Sequence, residues 1–507
     1  MKRLSRFLVS AVAALVVTSP VSAQLLGDVL GGVRGAVGGA VNQAGGLTSG
    51  ALGGASGGVN RAAGGLSSSL GGLTGGSGLS GGGGVLGLGS GQGSILGRLG
   101  SRSGSLGETE LSSGPDFLNY VGGIYDAADS SPEQIDDYRR ARLNALITSN
   151  RSVLDRDQDG QPVRRYELIA TNPDAVSLAN AIHAGFQLVA RQQQPELGLN
   201  LVTLSIPRRM NVRQAYQAIH RVAPAMQVDF NHIYEPSGGS LLPVAGAVLA
   251  SSHRRHPPAT PRTRGSARSI PAPMRIAIID GGVASHPSLA RAAVVQQGFA
   301  GSPQPTGHGT AVGSLLVGEQ GPFRGAARGA QLFVGDVYGG SPAAGSVTSI
   351  VRALDWAASK NPSVINISLV GPSNVVLARA IAAVRARGIQ VVAAVGNDGP
   401  AAPPQYPASY PGVIAVTGVD GHGRALPEAG KSTHLDFAAP GADMLAAFPG
   451  NGYTTVRGTS FAAPLAAARL ALAGSYQKLA MEAQPGKGKV GRGIVCGQCR
   501  LAPSSAR

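Results

Sequence analysis

The stretch VRGTSFAAPL, Val456–Leu465, sets a Gly-Thr-Ser triplet where a run of small apolar residues turns helical. A serine at a helix start has two readings. It is a cap whose hydroxyl accepts from the backbone, or it is a nucleophile held where unpaired N–H groups create a partial positive charge. What the rest of the chain places beside Ser460 decides between them.

Working outward, residues 274 to about 480 alternate strands with helices. MRIAIID, AQLFVGDV, VINISL, IQVVAAVG and GVIAVTGV read as strands; TAVGSLLVG, VTSIVRALDWAAS and VVLARAIAAVRARG read as helices. Strands that are apolar along their whole length are buried on both faces, which implies a parallel sheet covered by helices. Such sheets build their sites at the carboxyl ends of strands. AIIDGGV puts Asp280 at such an end, and AAVGNDGP puts Asn397 just past another. GHGTAVGSLL puts His308 at a helix start, between Gly307 and Gly309, which permit close backbone approach. Each residue alone reads equally well as a cap or a turn former. Together they supply a carboxylate, an imidazole, an amide donor and a hydroxyl, in that chain order.

That order resembles the subtilisin-like serine proteases over residues 274 to about 475. HPSL (His286–Leu289), RGAARGAQL (Arg324–Leu332), VINISLVGP, YPASYPGVIAVTGVD and AAPGADMLA (Ala438–Ala446) carry the likeness further. The resemblance implies a subtilisin-like α/β fold, with a parallel sheet sandwiched between helices, and a serine endopeptidase acting on proteins or peptides through an acyl-enzyme. It implies Asp280, His308 and Ser460 as the catalytic residues and Asn397 as the oxyanion donor. Ser368, Leu369, Val370 and Gly371 fall on the family's substrate-binding strand. The chemistry is consistent with these types: a serine hydroxyl is a weak nucleophile that needs a base, and the base needs an orienting carboxylate. No metal or other cofactor is expected at the site.

Two positions depart from the family pattern. Gly281 stands where Thr or Ser usually follows the Asp, which is expected to loosen the surroundings of Asp280. Val370 takes a place commonly held by glycine and is expected to narrow the substrate groove. The alternative within the same fold is a catalytically silent domain that binds peptides or envelope proteins. An α/β-hydrolase is excluded, because that fold needs a G-x-S-x-G elbow after a strand and places its histidine last.

Upstream, residues 166–235 read βαββαβ, from YELIAT to MQVDFNHIY, a small ferredoxin-like α+β unit. Secreted subtilases carry a propeptide of this element order, so the resemblance implies an intramolecular inhibitor and folding assistant. His183, His220 and His232 share no metal-ligand spacing and read as packing or surface residues. His422 and His434 read as surface loop residues. Residues 236–273, rich in Pro, Arg and Ser, read as an exposed linker that holds the maturation site. Residues 108–165 read as a helical segment followed by an acidic turn. There Asp155, Asp157, Asp159 and Gly160 match the first half of a calcium loop, but the bidentate acid would fall on Tyr166, with Glu167 one residue late. An acidic turn is the first reading and calcium the second.

The ends of the chain add its compartment. Lys2, Arg3 and Arg6 precede the apolar run FLVSAVAALVV and the small-residue site Val21-Ser22-Ala23, the pattern of a signal peptide over residues 1–23. The run is too short to span a bilayer, so a secreted or periplasmic protein is expected. Residues 24–107 are Gly, Ser, Leu and Ala with few charges, and read as disordered, because so much glycine makes ordering costly. In the tail, 481–507, the pair Cys496 and Cys499 lacks two further zinc ligands; a local disulfide is the first reading and a free or redox-active pair the second. The net charge of +16 comes without an aromatic-interleaved basic motif, so specific nucleic-acid recognition is not expected.

Overall fold

In a computed structural model of the chain, the described residues are 130–237, 241–243 and 273–503. The residues read as a signal peptide (1–23), those read as a disordered Gly-rich segment (24–107) and most of the 236–273 stretch lie outside them. The first element is α1 (Pro132–Ser149). Ser131 starts it with a reciprocal capping box, its hydroxyl accepting from Gln134 N while the Gln134 side chain accepts from Ser131 N.

An antiparallel sheet follows, made of β1 (Leu154–Arg156), β2 (Pro162–Thr171), β3 (Gln187–Gln194), β4 (Leu199–Ser205) and β5 (Gln227–His232). α2 (Ala175–His183) joins β2 to β3 and α3 (Val212–Val222) joins β4 to β5, giving the order βαββαβ from β2 onward. β2 is central, flanked by β4 and β5 over the same residues. Side chains alternate across a strand. Leu168, Ala170, Val202 and Leu204 pack with Leu178, Ala215 and Ile219 of α2 and α3. Ile169, Leu199 and Leu201 face the other way and join the core of the second half of the chain.

The acidic turn between β1 and β2 spends its central carboxylate internally. Asp157 Oδ1 accepts from Asp159 N and Gln161 N at 2.9 and 2.8 Å, and Oδ2 meets His232 Nε2 at 3.0 Å. His232 is buried, and its Nδ1 meets the Asn374 side chain. Among the described residues no three His, Cys, Asp or Glu side chains converge as a metal site would require.

After β6 (Glu235–Pro236) and β7 (Leu241–Pro243) comes a seven-stranded sheet, parallel throughout. Its strands are β8 (Arg275–Asp280), β9 (Ala293–Gly298), β12 (Gln331–Asp336), β13 (Val364–Ile367), β15 (Gln390–Ala394), β16 (Ile414–Val419) and β17 (Phe437–Pro440), in the order 17-16-15-13-8-12-9. Smaller strands border it: the hairpin β10 (Glu319–Gln320) and β11 (Phe323–Arg324), the short β14 (Leu369–Val370), and the hairpin β18 (Met444–Phe448) and β19 (Gly452–Val456).

Helices cover both faces. α4 (Gly307–Val317) and α7 (Thr459–Ala473) share one core with Ile276 and Ile278. α5 (Val347–Ser359) and α6 (Val375–Ala386) share the other with Ala277 and Ile279. That double burial is why β8 is apolar from Ile276 to Ile279, between the exposed Arg275 and the buried Asp280. A short α8 (Tyr476–Glu482) follows α7, and Cys496 and Cys499 form a disulfide in the tail. The described N-terminal and C-terminal halves form one compact unit.

Candidate active site

β8 delivers Asp280 to the end of the sheet, fully buried, and α4 begins one residue before His308 with Thr306 as its cap. Asp280 Oδ1 meets His308 Nδ1 at 2.8 Å and also accepts from Gly281 N at 2.7 Å. The contact depends on missing side chains. A Cβ on Gly309 would lie 2.3 Å from the Gly281 carbonyl, and one on Gly281 would lie 2.4 Å from Thr306 Oγ1. The expectation that Gly281 loosens this corner is therefore corrected: the room left by its absent side chain is filled by the Thr306 cap. No local signal linked residues 281 and 306.

Ser460 is the second residue of α7. The helix is entered through Gly458, whose φ of 139° suits glycine and strains other residues. Thr459 N donates to Asn397 Oδ1 at 2.9 Å, and the Thr459 hydroxyl bonds both the N–H and the carbonyl of Gly396. This ties the serine helix to the loop after β15. Pro464 lies inside α7 and has no N–H, so the Ser460 carbonyl loses its helical donor. Ser368 Oγ supplies one instead, at 3.0 Å. Ser460 Oγ and His308 Nε2 are both buried and neither has a hydrogen-bond partner among the described residues. The structure thus joins Asp280 to His308 directly and ties Ser460 to Asn397 and Ser368 through backbone, without a hydrogen bond between His308 and Ser460. The His308 ring lies 5.4 Å from that of Phe461, next to the serine.

The substrate strand expected at Ser368–Gly371 is occupied by the chain itself. β6 pairs antiparallel with β14, Leu369 opposite Pro236 and Val370 opposite Glu235. Upstream, Tyr234 N donates to Gly345 O at 2.7 Å, and the Tyr234 ring lies where a Gly371 side chain would stand. Downstream, Ser237 N donates to Ser368 O at 2.9 Å, and Ser237 O accepts from Asn397 Nδ2 at 2.7 Å. Val370 is buried, with its Cγ1 3.2 Å from where a Gly396 Cβ would sit. These contacts correct the reading of 236–273 as exposed from its first residue. Pro236 and Ser237 are buried in the cleft, and β7 pairs with β19 beyond it.

Arg142 of α1 was not found from sequence. Its guanidinium lies between Glu235 Oε2 (3.2 Å) and Asp398 Oδ1 (2.9 Å). Ile135 of the same helix lies against Gly399, 2.9 Å from where its Cβ would stand.

A parallel sheet whose loops gather a buried carboxylate–imidazole pair, a helix-start serine and an amide donor on a bound carbonyl belongs to the serine hydrolases. The profile of the subtilase family matches residues 273–485. Subtilisin Savinase from Lederbergia lenta is 34% identical over 204 residues, 39% of this chain and 75% of that protein. An alkaline protease from Alkalihalobacillus alcalophilus is likewise 34% identical, and the match spans 53% of its length. In structure, the chain is similar to fervidolysin from Fervidobacterium pennivorans, described as a keratinolytic enzyme related to subtilisin. The TM-score is 0.53 at 19% identity, over 68% of this chain and 62% of that one, a likeness of fold. The chain belongs to the subtilase family of serine endopeptidases.

Proposed function

We propose that this chain is an extracytoplasmic serine endopeptidase made as a self-inhibited precursor, with Asp280, His308 and Ser460 as its triad and Asn397 as its oxyanion donor. The observation that carries the reading is the 2.7 Å hydrogen bond from Asn397 Nδ2 to the Ser237 carbonyl. A carbonyl held by that donor, on a strand paired with Leu369 and Val370, occupies the position of a bond about to be cut. Ser237 is then the residue before the cut, and Ser237–Gly238 is the maturation bond.

Ser460 attacks the carbonyl carbon while His308 takes its proton and later returns it to the leaving amine. Asp280 holds the imidazole with Nε2 free to act as base and stabilises its cationic form. The carbonyl oxygen gains charge as it becomes tetrahedral. Asn397 Nδ2 and the Ser460 N–H at the start of α7 hold that charge in a buried, preorganised setting. These proton transfers need no cofactor. The buried Ser237 and the Val370–Gly396 contact favour a small residue before the cut. The N-terminal half, 130–237, acts as inhibitor by leaving β6 in the cleft.

The reading is tested by mass spectrometry and a serine-directed fluorophosphonate. The mature enzyme should begin at Gly238 and label once, and Ser460→Ala should neither label nor mature. A Ser460→Ala protein that still cuts itself, or a first mature terminus elsewhere, would sink it. The same labelling decides against a catalytically silent domain.

A further inference from the structure

Glu235 stands two residues before Ser237, with its carboxylate turned toward Asp398 and only the Arg142 guanidinium between them. Both carboxylates belong to buried residues. Glu235 Oε1 has no hydrogen-bond partner among the described residues, so the chain's own residue at this place is incompletely satisfied. Two like charges this close are tolerated because a cation is supplied from α1, which is held against the same loop by Ile135 and Gly399. Asp398 also directly follows the oxyanion donor Asn397.

We propose that Asp398 is a specificity residue that selects a lysine or arginine two residues before the small residue at the cut. Glu235 and Arg142 both lie upstream of Ser237–Gly238, so both depart with the released N-terminal half. Asp398 stays in the cleft and loses that cation. An incoming substrate lays its own strand along Leu369 and Val370 and puts a side chain where Glu235 stood. A basic side chain there reaches Asp398 directly, whereas an acidic one meets a like charge with no Arg142 to separate them. In the precursor, Arg142 therefore does for the junction what a basic substrate does for itself. This rests on the reading of Ser237 as the residue before the cut, and the test separates the two.

The test uses mature enzyme and peptides of the form Tyr-Xaa-Pro-Ser-Gly, with Lys, Gln or Glu at Xaa. The expected order of kcat/KM is Lys, Gln, Glu, with Lys over Glu by about tenfold or more at low salt and a ratio that shrinks as salt screens the pair. Asp398→Asn should bring the ratio close to one. Equal rates in the wild type, or a ratio that survives Asp398→Asn, overturns the proposal while leaving cleavage after serine intact. Cleavage at another bond overturns the placement of Ser237, and the proposal with it. A second measurement does not need the Asp398 variant to fold. Arg142→Gln in the precursor should slow self-cleavage by about tenfold, and Glu235→Lys added to it should restore the rate by pairing with Asp398. Failure of that rescue also overturns the proposal.

Discussion

In the parallel sheet, neighbours Ile278 and Ile279 point to opposite faces, and each meets helices of its own half. In the antiparallel sheet, Leu168 meets its own helices while Ile169 meets the core of the other half. The first sheet is covered by elements it carries itself; the second borrows α5 and α6. The helix ends repeat the difference. α5 and α6 have their own caps in Ser346 and Asn374, to which the N-terminal half adds Asn231 Oδ1 on Thr348 N and Asp229 Oδ2 on Val375 N. One half is a self-sufficient scaffold for chemistry. The other is a fitted cover whose outer face is as apolar as a core, so its stability is tied to its partner.

The largest effect that sharpens this contrast lies wholly in the self-sufficient half. Asn397→Ala should lower kcat of the mature enzyme by about 10²–10³, the scale of losing one oxyanion donor in subtilisin itself, with KM little changed. A loss confined to KM would mean that Asn397 only binds. The next effect lies on the borrowed face. Leu201→Asp puts a carboxylate between the halves, and in an uncut Ser460→Ala precursor it should destabilise the N-terminal transition in urea by about 2–4 kcal/mol. The transition of the parallel domain should move far less. Equal shifts of both would show that the two halves do not differ in the way described.

The smallest effect is one of pH. Burial raises the Asp229 carboxyl above its ordinary range, against the pull of His232 and the Val375 and Phe230 N–H groups. A folded-state pKa above the unfolded value gives stability that is complete below the unfolded pKa and is lost as pH rises through the folded one. In the uncut precursor, the stability of wild type minus Asp229→Asn should therefore fall as pH climbs from below about 4 toward neutrality. A difference that is flat across that window, or that rises, contradicts the assignment.

Much of this is legible in the sequence, and the reason is local. Asp280, His308, Asn397 and Ser460 each sit in a short block at a strand end or helix start, and the all-apolar strands announce a sheet covered twice. What was missed depends on contacts far apart in the chain. Glu235–Pro236 and Leu241–Pro243 are too short and too rich in proline to read as strands, and they become strands only by pairing with β14 and β19. Arg142 reads as one more charge on a helix, since its partners lie 93 and 256 residues away. Asp157 was read by its spacing to Asp155 and Asp159, whereas its Oδ2 is taken by His232, 75 residues on. Gly281 reads as a loss only against a family habit, and the residue that fills its space is Thr306.

The strand crossing the cleft is gripped on both sides of Ser237, by β14 before it and by β19 after it. Severing a cord that is clamped at two points does not make its ends fly apart. On the proposed cut after Ser237, the new amine belongs to a segment still clamped by β19, so the reverse reaction competes with water for as long as both clamps hold. On the proposed reading, commitment to maturation falls not on the cut but on the unzipping of one clamp, either the two-residue ladder of β6 or the three-residue ladder of β7.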